Sequence, residues 1–202
     1  YNYKNLRERL KKKFGISFKG NSDTEVFLYG FIYFGVDEFL RLADGMFAAA
    51  IFDKKTKQLF LLRDRVGEKP LFYFINSEGI FFASELKSLA KNVTDFVKAS
   101  TSGLQLYTIL RYVPAPQTIL EGFYKLKPGH YICHEINSST ASQIPYFSWD
   151  PHASEVPPTQ KNYAEVVKAT EAFLIKSLES RLMSDVPLGF FLSGGIDSIL
   201  VL

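Results

Sequence analysis

The sequence lacks both the cysteine pairs that stabilise secreted proteins and the long apolar runs that anchor proteins in membranes. It contains one cysteine, Cys133, which cannot form an internal disulfide, so nothing favours secretion and a cytoplasmic location is expected. No apolar segment approaches the ~20 residues needed to cross a bilayer. The start, Tyr1 to Lys4, lacks both an initiator methionine and a signal-peptide pattern. We therefore expect no membrane partner.

The excess of one sign of charge is also small, since the formal net charge is only +3. The one dense cluster, residues 11–13 with Arg7 and Arg9, fits a solvated helix face better than a nucleic-acid surface. The three histidines, His130, His134 and His152, show no metal-ligand spacing. We expect no nucleic-acid partner and assign the histidines no catalytic role.

Apolar and aromatic residues are abundant, at 47% and 15%, which excludes general disorder. The 202 residues could form one large domain or two small ones. The chain ends inside an apolar run typical of a helix and without a cap. We interpret it as an internal piece of a longer protein.

Apolar spacing predicts helices and hairpins in the first 136 residues. Leu6, Leu10 and Phe14 mark one helix that ends at Gly15, and the Ser22 to Glu25 spacing predicts a capping box before a second. Further helices are predicted at 36–42, 85–89 and 103–112. Strands are predicted at 46–52, 59–63, 71–75 and 80–83, with turns at 53–56 and 76–79, and a hairpin around Pro128-Gly129 within 124–136.

Residues 138–158 are rich in proline and polar residues and are the best candidate for a linker. They separate a predicted domain at 1–150 from a second at 160–202. The second begins with a long helix predicted at 163–183, which leads into a predicted buried strand at 188–192.

A glycine loop follows that strand. Ser193, Gly194 and Gly195 turn the chain into a helix that begins near Asp197, and such a helix start favours an anion. The loop lacks the lysine of a Walker loop and the third glycine of a dinucleotide fingerprint. Since Asp197 would repel a bare phosphate, we interpret the loop as a site for ATP bound to Mg²⁺. An ordinary strand-to-helix turn is the alternative.

The motif Ser-Gly-Gly-Ile-Asp-Ser at 193–198, preceded by residues 181–189, resembles the pyrophosphate loop of N-type ATP pyrophosphatases in the form found in asparagine synthetases. Ile199 stands where that family usually has a second serine, so one hydroxyl of the family pattern is absent here. The resemblance implies Asp197 as a Mg²⁺ ligand. It implies an ATP site made by Phe191, Ser193, Gly194, Gly195, Ile196, Asp197 and Ser198.

Motifs at 63–71, 82–87, 112–116 and 125–130 also resemble asparagine synthetases, in the glutaminase domain of class II glutamine amidotransferases. The resemblance implies an α/β protein whose first part is α+β. That part would be an incomplete αββα sandwich of the N-terminal-nucleophile hydrolase type. A Rossmann-like ATP pyrophosphatase domain would begin after it.

Within this family an acidic residue holds the amino group of glutamine, and the resemblance assigns that role to Asp23. The alternative is that Asp23 only complements the dipole of its helix. The family's nucleophile, an N-terminal cysteine, and its oxyanion-hole Asn-Gly pair are expected before Tyr1, so no catalytic residue is assigned. Cys133 is interpreted as a small apolar filler, and the piece itself is expected to be inactive.

The charged cluster of Arg63, Asp64, Arg65 and Lys69 could bind a substrate carboxylate. We favour a partly buried ion-pair network that fixes the turn at 67–70.

The implied parent enzyme hydrolyses glutamine, activates aspartate with ATP as an acyl-adenylate, and releases asparagine after ammonia attacks. Two alternatives stay open. One is an amidotransferase for another carboxylate, such as a sugar uronate or a β-lactam precursor, because residues that choose the acceptor would lie beyond Leu202. The other is a non-catalytic amidotransferase-like module. A homodimer is possible on sequence grounds.

Overall fold

The computed structural model describes residues 1–136, 138, 140–149, 163–184 and 186–202. One compact unit comprises residues 2–149, and a second comprises Tyr1 with the described residues from 163 onward. In the described ranges, none of the helices is both long and apolar enough to span a bilayer.

Helices of the first unit begin and end where local sequence signals place them. The first helix buries Leu6 and Leu10 and ends at Gly15, whose φ of 66° is left-handed and whose N–H donates to the carbonyl of Lys11. In the second, Ser22 is the N-cap and its hydroxyl accepts from the N–H of Thr24. The helix bounds are α1 (Tyr3–Phe14), α2 (Asp23–Phe34), α3 (Val36–Leu42), α4 (Leu86–Asn92) and α5 (Thr101–Leu110).

Seven described strands form two antiparallel sheets. The strands are β1 (Ala48–Asp53), β2 (Gln58–Arg63), β3 (Phe72–Asn76), β4 (Gly79–Ala83), β5 (Phe123–Lys125), β6 (His130–Glu135) and β7 (Gln143–Pro145). The larger sheet has the order β1-β2-β6-β7 and the smaller one β4-β3-β5. Asp53 pairs with Gln58 and Asn76 pairs with Gly79, so both predicted hairpin turns are confirmed.

The hairpin predicted within 124–136 is wrong. Strand β5 pairs with β3 in the smaller sheet, whereas β6 pairs with β2 in the larger one. The segment between them crosses from one sheet to the other. The N–H of Leu126 donates to the carbonyl of Leu71, and that of Gly129 donates to the carbonyl of Asp64. Pro128-Gly129 therefore makes a turn between layers.

The two sheets pack face to face through apolar side chains. Leu61 and Ile132 of the larger sheet meet Tyr73 of the smaller one, together with Leu71 and Leu126. These side chains form one buried cluster, as expected when the inner faces of two sheets interdigitate.

Helices cover the two outer faces. Phe74 and Phe123 of the smaller sheet pack against Leu89 of α4. On the larger sheet, Phe31 of α2 contacts Phe60 with ring centroids 4.9 Å apart. The layer order is thus helix, sheet, sheet, helix, and the predicted αββα sandwich is confirmed.

The second unit contains α6 (Tyr163–Arg181) and α7 (Ile196–Val201). The predicted strand at 188–192 does not form, and Phe191 is fully exposed. A parallel strand needs neighbours that satisfy its backbone groups, and no described strand lies in this unit. The large apolar side chains of α6 other than Leu178, among them Phe173, are exposed. Of the predicted linker, residues 139 and 150–158 lie outside the described residues, and residues 143–145 form β7.

Candidate functional site

Asp23 occupies the first position of α2. Its carboxylate is exposed, and Oδ1 accepts a weak hydrogen bond of 3.4 Å from the hydroxyl of Thr24. The adjacent Ser22 is extended, with φ −65° and ψ 138°, and caps the helix at 3.1 Å. A carboxylate here lies at the positive end of the α2 dipole and is accessible to a cationic ligand.

The second half of the predicted capping box is wrong. Glu25 does not reach back to the N–H of Ser22; its two oxygens accept from the N–H groups of Lys19, at 2.8 Å, and Gly20, at 3.0 Å. These two bonds are the main reason that the pKa of Glu25 lies below its usual value. Glu25 thus fixes the loop before the cap.

Arg7 of α1 contacts the same loop. Its Nη2 donates to the carbonyl of Gly20 and lies 3.9 Å from Oε2 of Glu25. Its guanidinium also lies over the ring of Phe18, 4.4 Å from the centroid. From the sequence, Arg7 was predicted only as part of a solvated basic cluster. The missed signal is that Glu25 lies only five and six residues after Gly20 and Lys19, close enough to bind the loop that Arg7 also contacts.

The charged cluster after β2 is mainly a set of side chain to backbone bonds, so the predicted ion-pair network is wrong in its main part. Arg63 donates to the carbonyls of Gly67 and Lys69, each at 2.9 Å, and to that of Leu126. Burial lowers the pKa of the Arg63 guanidinium, an effect that the charge of Asp64 opposes.

Asp64 completes this turn. Its carboxylate accepts from the N–H groups of Glu68, at 2.8 Å, and Lys69, at 2.9 Å. Arg65 does form an ion pair, with Asp44 at 4.0 Å. The cluster therefore fixes the turn at 67–70 as predicted, but its two buried members do so through the backbone and are not available to bind a substrate carboxylate.

Cys133 is partly buried, and two of the histidines contact backbone carbonyls. Burial raises the pKa of the Cys133 thiol, which disfavours the reactive thiolate, and supports its interpretation as a filler. The Nδ1 atoms of His130 and His134 lie 2.7 Å from the carbonyl of Pro128 and 3.3 Å from that of Thr140. His152 lies outside the described residues. Across the residues that the structure describes, no group of three or more metal-binding side chains comes together.

The glycine loop of the second unit gathers two hydroxyls around a helix start. The Oγ atoms of Ser193 and Ser198 lie 3.1 Å apart, and Ser198 also donates to the carbonyl of Gly195 at 2.9 Å. Gly195 caps α7 and directs its N–H toward Oγ of Ser193, at 3.4 Å. Gly194 has a φ of 78°, a left-handed conformation that favours glycine.

The other residues predicted for this site flank the loop. Ile196 and Asp197 are the first two residues of α7 and are exposed, as is Phe191. The structure therefore brings the serines and Gly195 together and leaves the Asp197 carboxylate accessible in the first turn. Mg²⁺ takes six oxygen ligands, and this loop offers one carboxylate and two hydroxyls, so the nucleotide and water would supply the remaining oxygens.

Comparisons with known proteins show the family of the first unit. Residues 1–147 match the family described as the glutamine amidotransferase domain. The chain belongs to this family. Residues 169–202 match a second family, described as asparagine synthase, and this match includes the glycine loop.

Similar proteins extend over the whole chain. The putative glutamine-hydrolysing asparagine synthetase of Mycobacterium tuberculosis (strain ATCC 25618 / H37Rv) is 36% identical over 202 residues, covering 98% of this chain and 30% of that protein. Asparagine synthetase 1 of Bacillus subtilis (strain 168) is 35% identical over 198 residues, with the same shares. Amidase chry2 of Gibberella zeae is 30% identical, covering 98% of this chain and 28% of that protein. The chain thus spans about 30% of the length of such relatives.

A solved structure of glutamine phosphoribosylpyrophosphate amidotransferase from B. subtilis aligns with a TM-score of 0.49 and 16% identity, over 73% of this chain and 27% of that chain. Strand pairing and the packing of the sheets and helices establish the αββα layers without this similarity.

Proposed function

We propose that this chain is part of a glutamine-dependent asparagine synthetase. The observation that carries the proposal is the order of two family matches on one chain, an amidotransferase domain at 1–147 followed by asparagine synthase at 169–202. The proposed protein hydrolyses glutamine and uses the ammonia to amidate aspartate at the expense of ATP. Its substrates are then glutamine, aspartate and ATP, with no nucleic acid or membrane involved.

In the first unit, Asp23 would bind the amino group of glutamine. Its exposed carboxylate at the start of α2 supports this role, because charge-assisted hydrogen bonds to an ammonium group are short and strong. Cys133, the only thiol of the chain, is partly buried in a strand with a raised pKa. The 202-residue chain alone is therefore expected to release no ammonia from glutamine.

In the second unit, the N–H of Gly195 and the hydroxyls of Ser193 and Ser198 would bind the outer phosphates of ATP. Phe191, Gly194 and Ile196 would line the same site. Asp197 would hold Mg²⁺, which neutralises phosphate charge when bound. The closeness of the two hydroxyls, 3.1 Å, supports the site because both can turn toward one anion.

The test is a product assay on the full-length protein with glutamine, aspartate and magnesium ATP. We expect equal amounts of asparagine, AMP and pyrophosphate, since adenylation releases pyrophosphate and amide formation releases AMP. Formation of ADP and phosphate, or glutamine hydrolysis that never consumes ATP, would contradict the proposal.

A second candidate is amidation of a different carboxylate. The observation behind it is that a relative not named as an asparagine synthetase, amidase chry2, is 30% identical and covers as much of the chain as the asparagine synthetases do. The same assay separates the two when aspartate is replaced by a uronic acid sugar or by a β-amino acid precursor of a β-lactam. Failure with every acceptor, together with no glutaminase activity, would support the non-catalytic module.

Cytoplasmic location and a homodimer stay predictions, and light scattering tests the second.

A further inference from the structure

The loop that joins α1 to α2 is attached to both helices. Glu25, on α2, accepts from two successive backbone N–H groups, those of Lys19 and Gly20, at 2.8 and 3.0 Å. Arg7, on α1, donates to the carbonyl of Gly20 and to Oδ1 of Asn21, the latter at 3.4 Å. These bonds hold the three residues that immediately precede Ser22.

The two side chains also contact each other. Nη2 of Arg7 lies 3.9 Å from Oε2 of Glu25, and only 13% and 19% of their side-chain surfaces are exposed. Phe18 lies under the Arg7 guanidinium and makes an edge contact with Tyr29 of α2, with ring centroids 5.4 Å apart. The pair is thus partly removed from water. Its electrostatic interaction is therefore stronger than that of a fully exposed ion pair.

The bonded loop ends at Asn21, two residues before Asp23, whose carboxylate is proposed to bind substrate. Ser22 must stay extended to cap α2, and Asp23 takes its direction from that cap. If the loop at 19–21 were free, the first turn of α2 would fray, since helix ends lack internal partners. A carboxylate recognises an ammonium group strongly only when the hydrogen bond is well directed.

We propose that Glu25 and Arg7 are positioning residues that hold Asp23 for recognition of the amino group of glutamine. The inference rests on the proposed function, because it requires Asp23 to bind that group. Neither residue touches the substrate. Their effect is to select substrates that carry an α-amino group, and binding of the amide end is unaffected.

The experiment compares Glu25→Gln with wild type in the full-length protein. A glutamine side chain keeps the shape of glutamate but has only one acceptor oxygen, so its amide NH₂ would oppose one backbone N–H. We expect KM for glutamine, measured by glutamate release, to rise about tenfold with little change in kcat. Inhibition by glutarate monoamide, which is glutamine without the amino group, is expected to change less than about twofold. Glu8→Gln, an exposed change on α1, is the matched control and is expected to match wild type.

Two further readouts separate the possible failures. Urea unfolding of each variant reports whether the first unit is folded, and asparagine synthesis from ammonium chloride, which bypasses the glutamine site, reports whether the ATP site is intact. Should Glu25→Gln fail to fold, Arg7→Lys, which keeps the charge but not the forked donors, is measured in its place. Asp23→Asn tests the proposed function: if it leaves KM for glutamine unchanged, the assignment of Asp23 is wrong. Two outcomes overturn the inference and leave the proposed function standing. In the first, Asp23→Asn raises KM for glutamine but the positioning variant does not. In the second, the positioning variant weakens inhibition by the monoamide as much as it raises KM for glutamine.

Discussion

Gly30 of α2 lies directly against the ring of Phe39 in α3. A Cβ atom at Gly30 would lie 2.4 Å from Cε2 and 2.5 Å from Cδ2 of that ring. Phe39 is fully buried and makes an edge contact with Phe27, with centroids 4.7 Å apart. The close approach of the two helices therefore depends on the absence of a side chain at one position.

Gly30→Ala is expected to destabilise the first unit. Alanine favours a helix interior by about 1 kcal/mol over glycine, but overpacking a filled core costs about 1–3 kcal/mol. Because the Phe39 ring is enclosed, we expect a net loss of about 1–2 kcal/mol in the free energy of unfolding, measured by urea denaturation. Gly20→Ala is the control, since its nearest neighbour would be 3.9 Å away. A Gly30→Ala variant as stable as wild type would show that Phe39 can move aside.

Arg63→Lys is expected to be more harmful than its conservative chemistry suggests. Arg63 bonds three backbone carbonyls from one buried planar group, and an ammonium cannot reach all three. Leaving buried carbonyls without donors costs about 1–3 kcal/mol. The midpoint of urea unfolding should fall accordingly, whereas the exposed Arg9→Lys should not change it. An unchanged midpoint for Arg63→Lys would mean that the turn at 67–70 is stable without the forked donor.

The parts of the fold that the sequence predicted are those specified by local signals. Gly15 closes α1 with a left-handed residue, and Ser22 caps α2, because both depend on a few neighbouring residues. The two β-hairpins were predictable for the same reason. The glycine loop at 193–195 also carried its own signal, since small residues and a helix start suffice to form it.

The parts that failed depend on distant residues. Phe123 and Ile132 lie in different core clusters, and only the packing of two sheets explains why β5 and β6 do not pair. The strand predicted at 188–192 requires neighbouring strands to satisfy its backbone. Glu25 had the spacing of a capping box, but the loop at 19–20 offered two N–H groups where the box offers one.

Tyr131 is expected to titrate late. Burial raises the pKa of Tyr131 to about 12, and the negative charge of Asp37 adds to this effect. The Tyr131 hydroxyl donates to Oδ1 of Asp37 at 3.2 Å. The pKa of Tyr131 in the folded protein is raised above its unfolded value of about 10. Its contribution to the free energy of unfolding is therefore fully present below pH ~10 and is lost as the pH rises through ~12. NMR titration of ring-labelled tyrosine measures this. Asp37→Asn should lower the pKa of Tyr131 without restoring its ordinary value, since burial persists; no change would exclude the Asp37 contribution.

Asp197→Asn is expected to weaken magnesium ATP binding to the full-length protein about tenfold or more, because an amide oxygen is a poorer Mg²⁺ ligand than a carboxylate. Asp197 is the second residue of α7, and without a metal its charge would repel the phosphates that Ser193 and Ser198 bind. Removing that charge should therefore leave the affinity for metal-free ATP unchanged or slightly higher. A residue needed only for folding would instead weaken both forms of binding when it is changed, so the two affinities together identify a metal ligand. Calorimetry with ATP, with and without Mg²⁺, measures both, and Glu179→Gln, an exposed change on α6, is the control. Equal affinity of wild type and Asp197→Asn for magnesium ATP would exclude a metal bridge at this loop.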